Sequence, residues 1–284
     1  MRQYFFIICL LFVLRVSTIA NAEPQWLKLP STPTLPQAEQ SGYASINGVQ
    51  IWYATYGHGQ PVILLHGGLG NSNYWGNQVP ILARQYKVIV MDSGGHGRST
   101  RNEQPYNYDL MASDVLGLMD FLKIKKAAMI GWSDGAILGL HIAIHHPKRL
   151  TKLFAYAANS DPTGVRPDIF KSSVFKAYIA RTEKEYEKLS PTPKAYKTLF
   201  DQLSKMSATQ PNFTKEQLNA ITVPTWIVDG DHDEVVKREN TEFMATQIQN
   251  SSLLLQPWVS HFSFLQDPKQ FNNDLLNFLE KNPG

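Results

Sequence analysis

Ala127-Ala128-Met129-Ile130, then Gly131-Trp132-Ser133-Asp134-Gly135, then Ala136-Ile137-Leu138-Gly139-Leu140-His141-Ile142, is the stretch that decides how this chain folds. Four apolar residues without polar alternation read as a strand covered on both faces. From Asp134 onward apolar residues recur at helical spacing as far as His146, and Pro147 stops the run. Between strand and helix lies Gly-x-Ser-x-Gly, the signature of a strand-to-helix turn so sharp that the serine takes strained dihedrals and presents its hydroxyl at the C-terminal edge of a sheet. The small residues two positions to either side let neighbouring backbone approach. Background frequencies alone produce the pattern in roughly one chain of this length in ten. Its weight therefore comes from its place between a strand and a helix, against the plainer reading of a helix-capping serine.

Working outward, the same alternation continues in both directions. Val62 to Leu65, Lys87 to Met91, Leu150 to Tyr156, Thr225 to Val228 and Leu253 to Gln256 read as strands. Tyr74 to Gln85, Leu110 to Leu122 (capped by Asp109) and Phe271 to Leu279 read as helices. Upstream, Asn47-Gly48 between two alternating segments reads as a hairpin with a type I′ turn. Continuous apolar strands alternating with helices predict an α/β fold with a mostly parallel central sheet and helices on both faces. Residues 159–223 break the rhythm. They hold no strand signal but show helical periodicity near Pro167 to Leu189 and Pro193 to Met206, which predicts a helical cap or lid inserted into a core formed by residues 43–158 and 224–284. Residues 23–42 carry four prolines and read as an extended arm.

A serine hydroxyl becomes a nucleophile only beside a base, and the base needs an orienting carboxylate. Two loops at C-terminal strand ends supply candidates: Asp229-Gly230-Asp231-His232-Asp233 and Pro257-Trp258-Val259-Ser260-His261. Asp229 lies close to its strand, Asp231 suits a turn, and Asp233 lies far enough out to turn toward a histidine. Asp233 is the acid of this reading and Asp231 the alternative. The aspartates lack the longer ligand repeat of a calcium loop. His261 is the base. His141 and His145 are four apart on one helix, a spacing that permits metal binding, but no third ligand is in view and they read as exposed. His232 reads as a loop packer and His58 as a surface turn residue. Leu65-His66-Gly67-Gly68-Leu69-Gly70 follows a strand, and its glycines let backbone N–H groups approach a developing anion. The Gly68 and Asp134 N–H groups are the predicted oxyanion donors. The loop lacks the Lys-Ser/Thr or the glycine spacing of a nucleotide-binding loop. Asp92-Ser93-Gly94-Gly95-His96-Gly97-Arg98-Ser99 reads as turn chemistry near the pocket.

With these residues placed, the chain resembles the α/β-hydrolase superfamily over about Tyr43 to Leu279. The carriers are His66-Gly67-Gly68, Asp92 with Gly95-His96-Gly97-Arg98-Ser99, the elbow around Ser133, Gly230-Asp231-His232-Asp233, and Ser260-His261-Phe262. The elbow is also similar to that of valacyclovir-hydrolase-like esterases. In that group a carboxylate near the pocket recognises the substrate's amino group; the sequence alone does not single out its counterpart here, and that specificity is not carried over. The resemblance implies a serine hydrolase that cleaves carboxylic esters of small or medium substrates through an acyl-enzyme, with Ser133, Asp233 and His261 as its triad. C–C bond, lactone, amide or aminopeptidase hydrolysis on the same triad is the alternative, and a ligand-binding module without activity is the third reading. Ser133 stands where epoxide and haloalkane hydrolases need an aspartate. No cofactor and no metal is implied. Phe170, Phe175, Tyr178, Tyr186, Tyr196 and Phe200 are the aromatic residues of the insertion from which a pocket wall is expected.

Composition narrows the partners. The 284 residues are 43% hydrophobic, which suits a large α/β domain. Met1-Arg2, the apolar run Tyr4 to Leu14 and Ala20-Asn21-Ala22 read as a signal peptide, residues 1–22, cut after Ala22 and unlike the intracellular members of the family. The run is too short for a bilayer span of ~20 residues, which argues against a membrane anchor. Cleavage takes Arg2 and Arg15 from 27 basic residues and none from 24 acidic ones, leaving 25 against 24. Such a balance steers the protein to no nucleic acid or anionic surface. The single cysteine, Cys9, leaves with the peptide. The expected protein is exported, periplasmic or secreted. Its partner is a small-molecule substrate, it keeps no stable membrane anchor, and no oligomeric state is assigned to it.

Overall fold

The computed structural model describes residues 23–281; the signal-peptide reading of residues 1–22 lies outside them. The central sheet has eight strands: β1 (Gln40–Ile46), β2 (Val49–Tyr56), β3 (Gln60–Leu65), β4 (Tyr86–Met91), β5 (Ala127–Trp132), β6 (Leu150–Tyr156), β7 (Thr225–Gly230) and β8 (Ser251–Gln256). Their order is β1-β2-β4-β3-β5-β6-β7-β8. β2 runs antiparallel to both its neighbours, and every pairing from β4 to β8 is parallel. The β1–β2 turn puts Asn47 and Gly48 at φ 49° and 77°, the positive values a type I′ turn requires.

Helices α1 (Val79–Leu82), α2 (Tyr108–Phe121), α3 (Asp134–His145), α4 (Ser173–Leu189), α5 (Tyr196–Ser207), α6 (Lys215–Asn219), α7 (Arg238–Gln247), α8 (Ser263–Gln266) and α9 (Pro268–Glu280) complete the order. Two apolar layers result. On one face α2, α3 and α7 pack Met111, Val115, Ile137, Leu140 and Met244 against Ile63, Ile89 and Met129. On the other, α1 and α9 pack Val79, Leu82, Phe271 and Leu275 against Leu64, Val90, Ile130 and Phe154. β5 is buried at all six positions, as a central strand covered on both sides must be. Each fully buried aliphatic side chain of this kind contributes ~1.5–3 kcal/mol.

Three local readings are corrected. The helix expected over Tyr74 to Gln85 shrinks to a 3₁₀ turn at Ser72–Trp75 and to α1. Pro80 lacks the N–H that would bond to the carbonyl of Gly76, so no helix runs through both segments. α2 starts earlier than expected, and its cap is Asn107, whose side chain accepts the Leu110 N–H at 2.8 Å. Asp109 lies in the first turn and pairs with His141 Nε2 at 3.0 Å. His141 is therefore buried rather than exposed, and burial lowers its pKa.

Between β6 and β7 the chain forms α4, α5 and α6. α4 buries Val174, Tyr178, Thr182 and Tyr186, one residue per turn at four-residue spacing, and Ser172 caps it. α6 is not among the expected helices, although its capping box, Thr214 with Gln217, is visible in the sequence. Arm residues ahead of β1 run against this segment and the core. Arg181 of α4 donates to the carbonyls of Pro30 and Leu29 at 2.6 and 2.8 Å, and Gln266 donates to that of Lys28 at 2.8 Å.

Candidate active site

Ser133 sits between β5 and α3 at φ 54°, ψ −120°. A side chain is rarely found there, at a cost of about 1–3 kcal/mol, so the surroundings must impose it. The Ser133 N–H donates to Tyr156 O at 2.9 Å, and its carbonyl accepts from the Ala136 and Ile137 N–H groups at 2.8 and 2.9 Å. The flanking glycines explain the motif. A Cβ on Gly131 would lie 2.3 Å from Gly135 O, and one on Gly135 would lie 2.2 Å from Leu65 O. Strand β5, helix α3 and the end of β3 thus meet around one serine.

The register carries the next element to the same place. Leu65 lies opposite Gly131, so the loop after β3 emerges beside the elbow. His66 braces that loop. Its Nδ1 bonds Gly67 O at 2.8 Å, and its Nε2 accepts the Ser93 N–H at 3.0 Å, the pattern of a neutral ring. Burial keeps its pKa low. Tyr178 donates to Gly68 O at 2.6 Å from the α4 side. The Gly68 N–H has no acceptor among the described residues; nor has that of Asp134, the first residue of α3, which has no intrahelical partner. Both are therefore free to donate. Asp92 accepts from the Ser72 N–H and hydroxyl and from the Arg98 N–H and guanidinium, which makes it the hub of its turn.

The two remaining loops leave β7 and β8 side by side. Gly230 lets them close, since a Cβ there would lie 2.6 Å from the carbonyls of Val259 and Ser260. Asp233 Oδ2 meets His261 Nδ1 at 2.7 Å, and its Oδ1 accepts the Val235 and Val236 N–H groups at 2.6 and 2.7 Å. Both side chains are buried. Neither of the other aspartates meets the imidazole of His261: Asp231 pairs with His232 at 2.6 Å, and Asp229, buried beside Asp233, accepts from Thr241 at 2.7 Å. His232 stacks on Trp26 of the arm, ring centroids 4.0 Å apart. Burial alone would lower the His261 imidazole, but the Asp233 charge and hydrogen bond outweigh it and the net shift is upward. Burial would raise Asp233, but His261 and the backbone donors outweigh it and hold the carboxyl below its usual range.

Ser133 and His261 line one cavity of about 440 Å³ together with Gly68 and Asp134. No Ser133–His261 hydrogen bond is formed among the described residues; in resting enzymes that contact often tightens only on substrate binding. Phe170, Phe175, Tyr178 and Phe200 line the cavity. Tyr186 and Tyr196 do not; they are buried against each other, ring centroids 5.8 Å apart. Sequence reasoning named Asp134 for its N–H and missed its side chain. That carboxylate lines the cavity, packs under Gly68 and accepts from the Tyr108 hydroxyl at 2.8 Å. Burial raises its pKa. No group of three or more His, Cys, Asp or Glu among the described residues is arranged to hold a metal.

Comparison with known proteins adds to this geometry. Residues 60–169 match the model of the family described as alpha/beta hydrolase fold. Serine hydrolase BPHL of Mus musculus is 27% identical over 275 residues, covering 89% of this chain and 94% of the relative. The 2-hydroxy-6-oxo-6-(2'-aminophenyl)hexa-2,4-dienoic acid hydrolase of Metapseudomonas resinovorans is 26% identical over 267 residues, covering 84% and 90%. An enol-lactonase from Burkholderia xenovorans LB400 shares the fold, with a TM-score of 0.68 at 22% identity, covering 84% of this chain and all of that one. A chain that matches the family model through its serine elbow, aligns with curated hydrolases along most of its length and superimposes on a solved enol-lactonase has the α/β-hydrolase fold and is similar to hydrolases of that superfamily.

Proposed function

We propose that the protein is a serine hydrolase that cleaves neutral or cationic carboxylic esters of small or medium size through an acyl-enzyme. One observation carries the reading: the buried Asp233–His261 pair at 2.7 Å opens onto the cavity that also holds the strained Ser133. In this scheme His261 Nε2 takes the hydroxyl proton as Ser133 Oγ bonds to the ester carbonyl carbon. The Gly68 and Asp134 N–H groups hold the resulting oxyanion, each for ~3–4 kcal/mol of transition-state stabilisation. The imidazolium gives its proton to the departing alkoxide, and the acyl group stays on Ser133. Water attacks next, His261 accepts its proton, and the acid leaves with Ser133 regenerated.

Charge in the cavity separates the substrate classes. Of its lining residues none is Lys or Arg; the ionisable acid and base are Asp134 and His261. An anionic substrate would meet a carboxylate with no Lys or Arg to offset it. The names of two relatives, a dienoic acid hydrolase and an enol-lactonase, favour C–C or lactone cleavage as the second reading. The cavity favours it less for a substrate bearing a carboxylate.

Three nitrophenyl esters of similar size, one neutral, one bearing an ammonium group and one a hemisuccinate, test both points. The neutral and cationic esters should turn over, and the anionic one should lag by about tenfold or more in kcat/KM. Asp134→Asn should narrow that gap. A fluorophosphonate should label Ser133. No labelling would remove the serine-hydrolase reading, and an unchanged preference in Asp134→Asn would remove the charge argument.

A further inference from the structure

A second carboxylate lies against the base. Glu234 follows Asp233 in the loop after β7, and its Oε2 accepts the backbone N–H of His261 at 3.2 Å. Its Oε1 is buried and has no partner among the described residues. A group whose only task was to accept one N–H bond would be better served by a glutamine, which satisfies the same donor without the desolvation cost of a buried charge. A carboxylate with one idle oxygen suits a purpose in which the charge itself is used.

We propose that Glu234 is a positioning residue: it fixes the backbone of His261 and adds a second negative charge that favours the imidazolium formed in both steps of the reaction. The inference rests on His261 acting as the base. The groups facing the imidazole are Asp233 at Nδ1, Glu234 beside its backbone and Asp134 across the cavity, with the Trp132 and Phe262 rings at its sides. The groups facing Glu234 are Asp233 and His261 from the two loops and Tyr156 at the end of β6. Burial, then the Asp233 charge, raise the Glu234 carboxyl above its ordinary range while His261 pulls it back. Asp233 is held low by comparison, so the two neighbouring acids have different environments.

The sign of the effect follows. Removing the Glu234 charge disfavours the protonated ring, so the His261 pKa falls and the acid limb of kcat/KM moves to lower pH. Full-length Glu234→Gln, which keeps an acceptor for the N–H, should move that limb down by roughly 0.5–1 pH unit with KM unchanged. The same displacement should appear in the NMR titration of the His261 ring. Glu234→Leu should also lower kcat by about tenfold, and Glu234→Asp should restore part of both effects. Because Glu234→Leu risks misfolding, Glu234→Gln decides alone if it must. A ring titration and an acid limb that stay where they are in the unaltered protein would overturn the proposal, as would a rise in KM with the pH profile unmoved. The ring titration needs no turnover, so it separates failure here from failure of the serine-hydrolase reading, which fluorophosphonate labelling tests on the unaltered protein.

Discussion

Ser133→Ala should reduce ester turnover by on the order of 10⁵–10⁶ and abolish fluorophosphonate labelling, while the melting temperature stays within a few degrees. The size of the loss follows from the role: Ser133 carries the only hydroxyl of the turn Gly131-Trp132-Ser133-Asp134-Gly135, where β5, α3 and the end of β3 converge. The fold survives because the hydroxyl is not what holds the elbow. Ser133 is fixed through its backbone, by the Tyr156 carbonyl on one side and the Ala136 and Ile137 N–H groups on the other. Ser133→Gly extends the test. At φ 54°, ψ −120° a glycine carries no Cβ penalty, so this variant should be as inactive as the alanine variant but more stable. A relief of ~1–3 kcal/mol corresponds to a rise of at least a few degrees in melting temperature for a domain of this size. Measured kcat and thermal unfolding of the two variants check both halves. Substantial residual turnover in either one, free of contaminating enzyme, would remove Ser133 from the reaction.

What the sequence revealed here, and what it hid, divide along one physical line. Features governed by neighbours in the chain were legible. The Asn47-Gly48 turn, the apolar runs of the parallel strands and the glycines around Ser133 each answer to a local steric or burial demand. Features governed by contacts between distant segments were not. Nothing in the residues around Asn107 and Asp109 tells which of the two caps α2; the pairing of Asp109 with His141 of α3 is visible only once the two helices are packed. The N–H role of Asp134 is legible because the elbow dictates it, whereas its side chain gains meaning from Tyr108, twenty-six positions away. The role of Glu234 is hidden for the same reason, since its partner is the backbone of His261 on another loop. Even the separation of the pocket aromatics Phe170 and Phe200 from the buried pair Tyr186 and Tyr196 needed the helices in place, because helical spacing alone does not say which face meets a cavity.

Asp233→Asn should lower kcat by up to ~10⁴ with little change in KM, and the reason lies in the two bonds on the far oxygen. Asp233 Oδ1 accepts the N–H groups of Val235 and Val236 at 2.6 and 2.7 Å, while Oδ2 faces His261 Nδ1. An asparagine in this site must turn its carbonyl toward the two backbone donors, because its NH₂ group would otherwise oppose them. That orientation aims the NH₂ at Nδ1, which must then accept, so the ring proton moves to Nε2. The nitrogen left to serve as the base is then a donor and unable to take the hydroxyl proton. Loss of the charge also lets burial lower the imidazole pKa, which in the unaltered protein lies above its ordinary value. The acid limb of the residual activity should therefore move to lower pH, opposite to what a more basic histidine would give. Stability changes with the same sign logic. Because the Asp233 carboxyl is held below its usual range, its pairing stabilises the protein above that range and is lost on acidification, so the variant should lose most stability near neutral pH and little in acid. The control is Asp231→Asn, which breaks only the partly exposed pair with His232 and should leave kcat within a few-fold. Near-normal turnover in Asp233→Asn together with a collapse in Asp231→Asn would transfer the acid to Asp231 and require the loop after β7 to rearrange around the base.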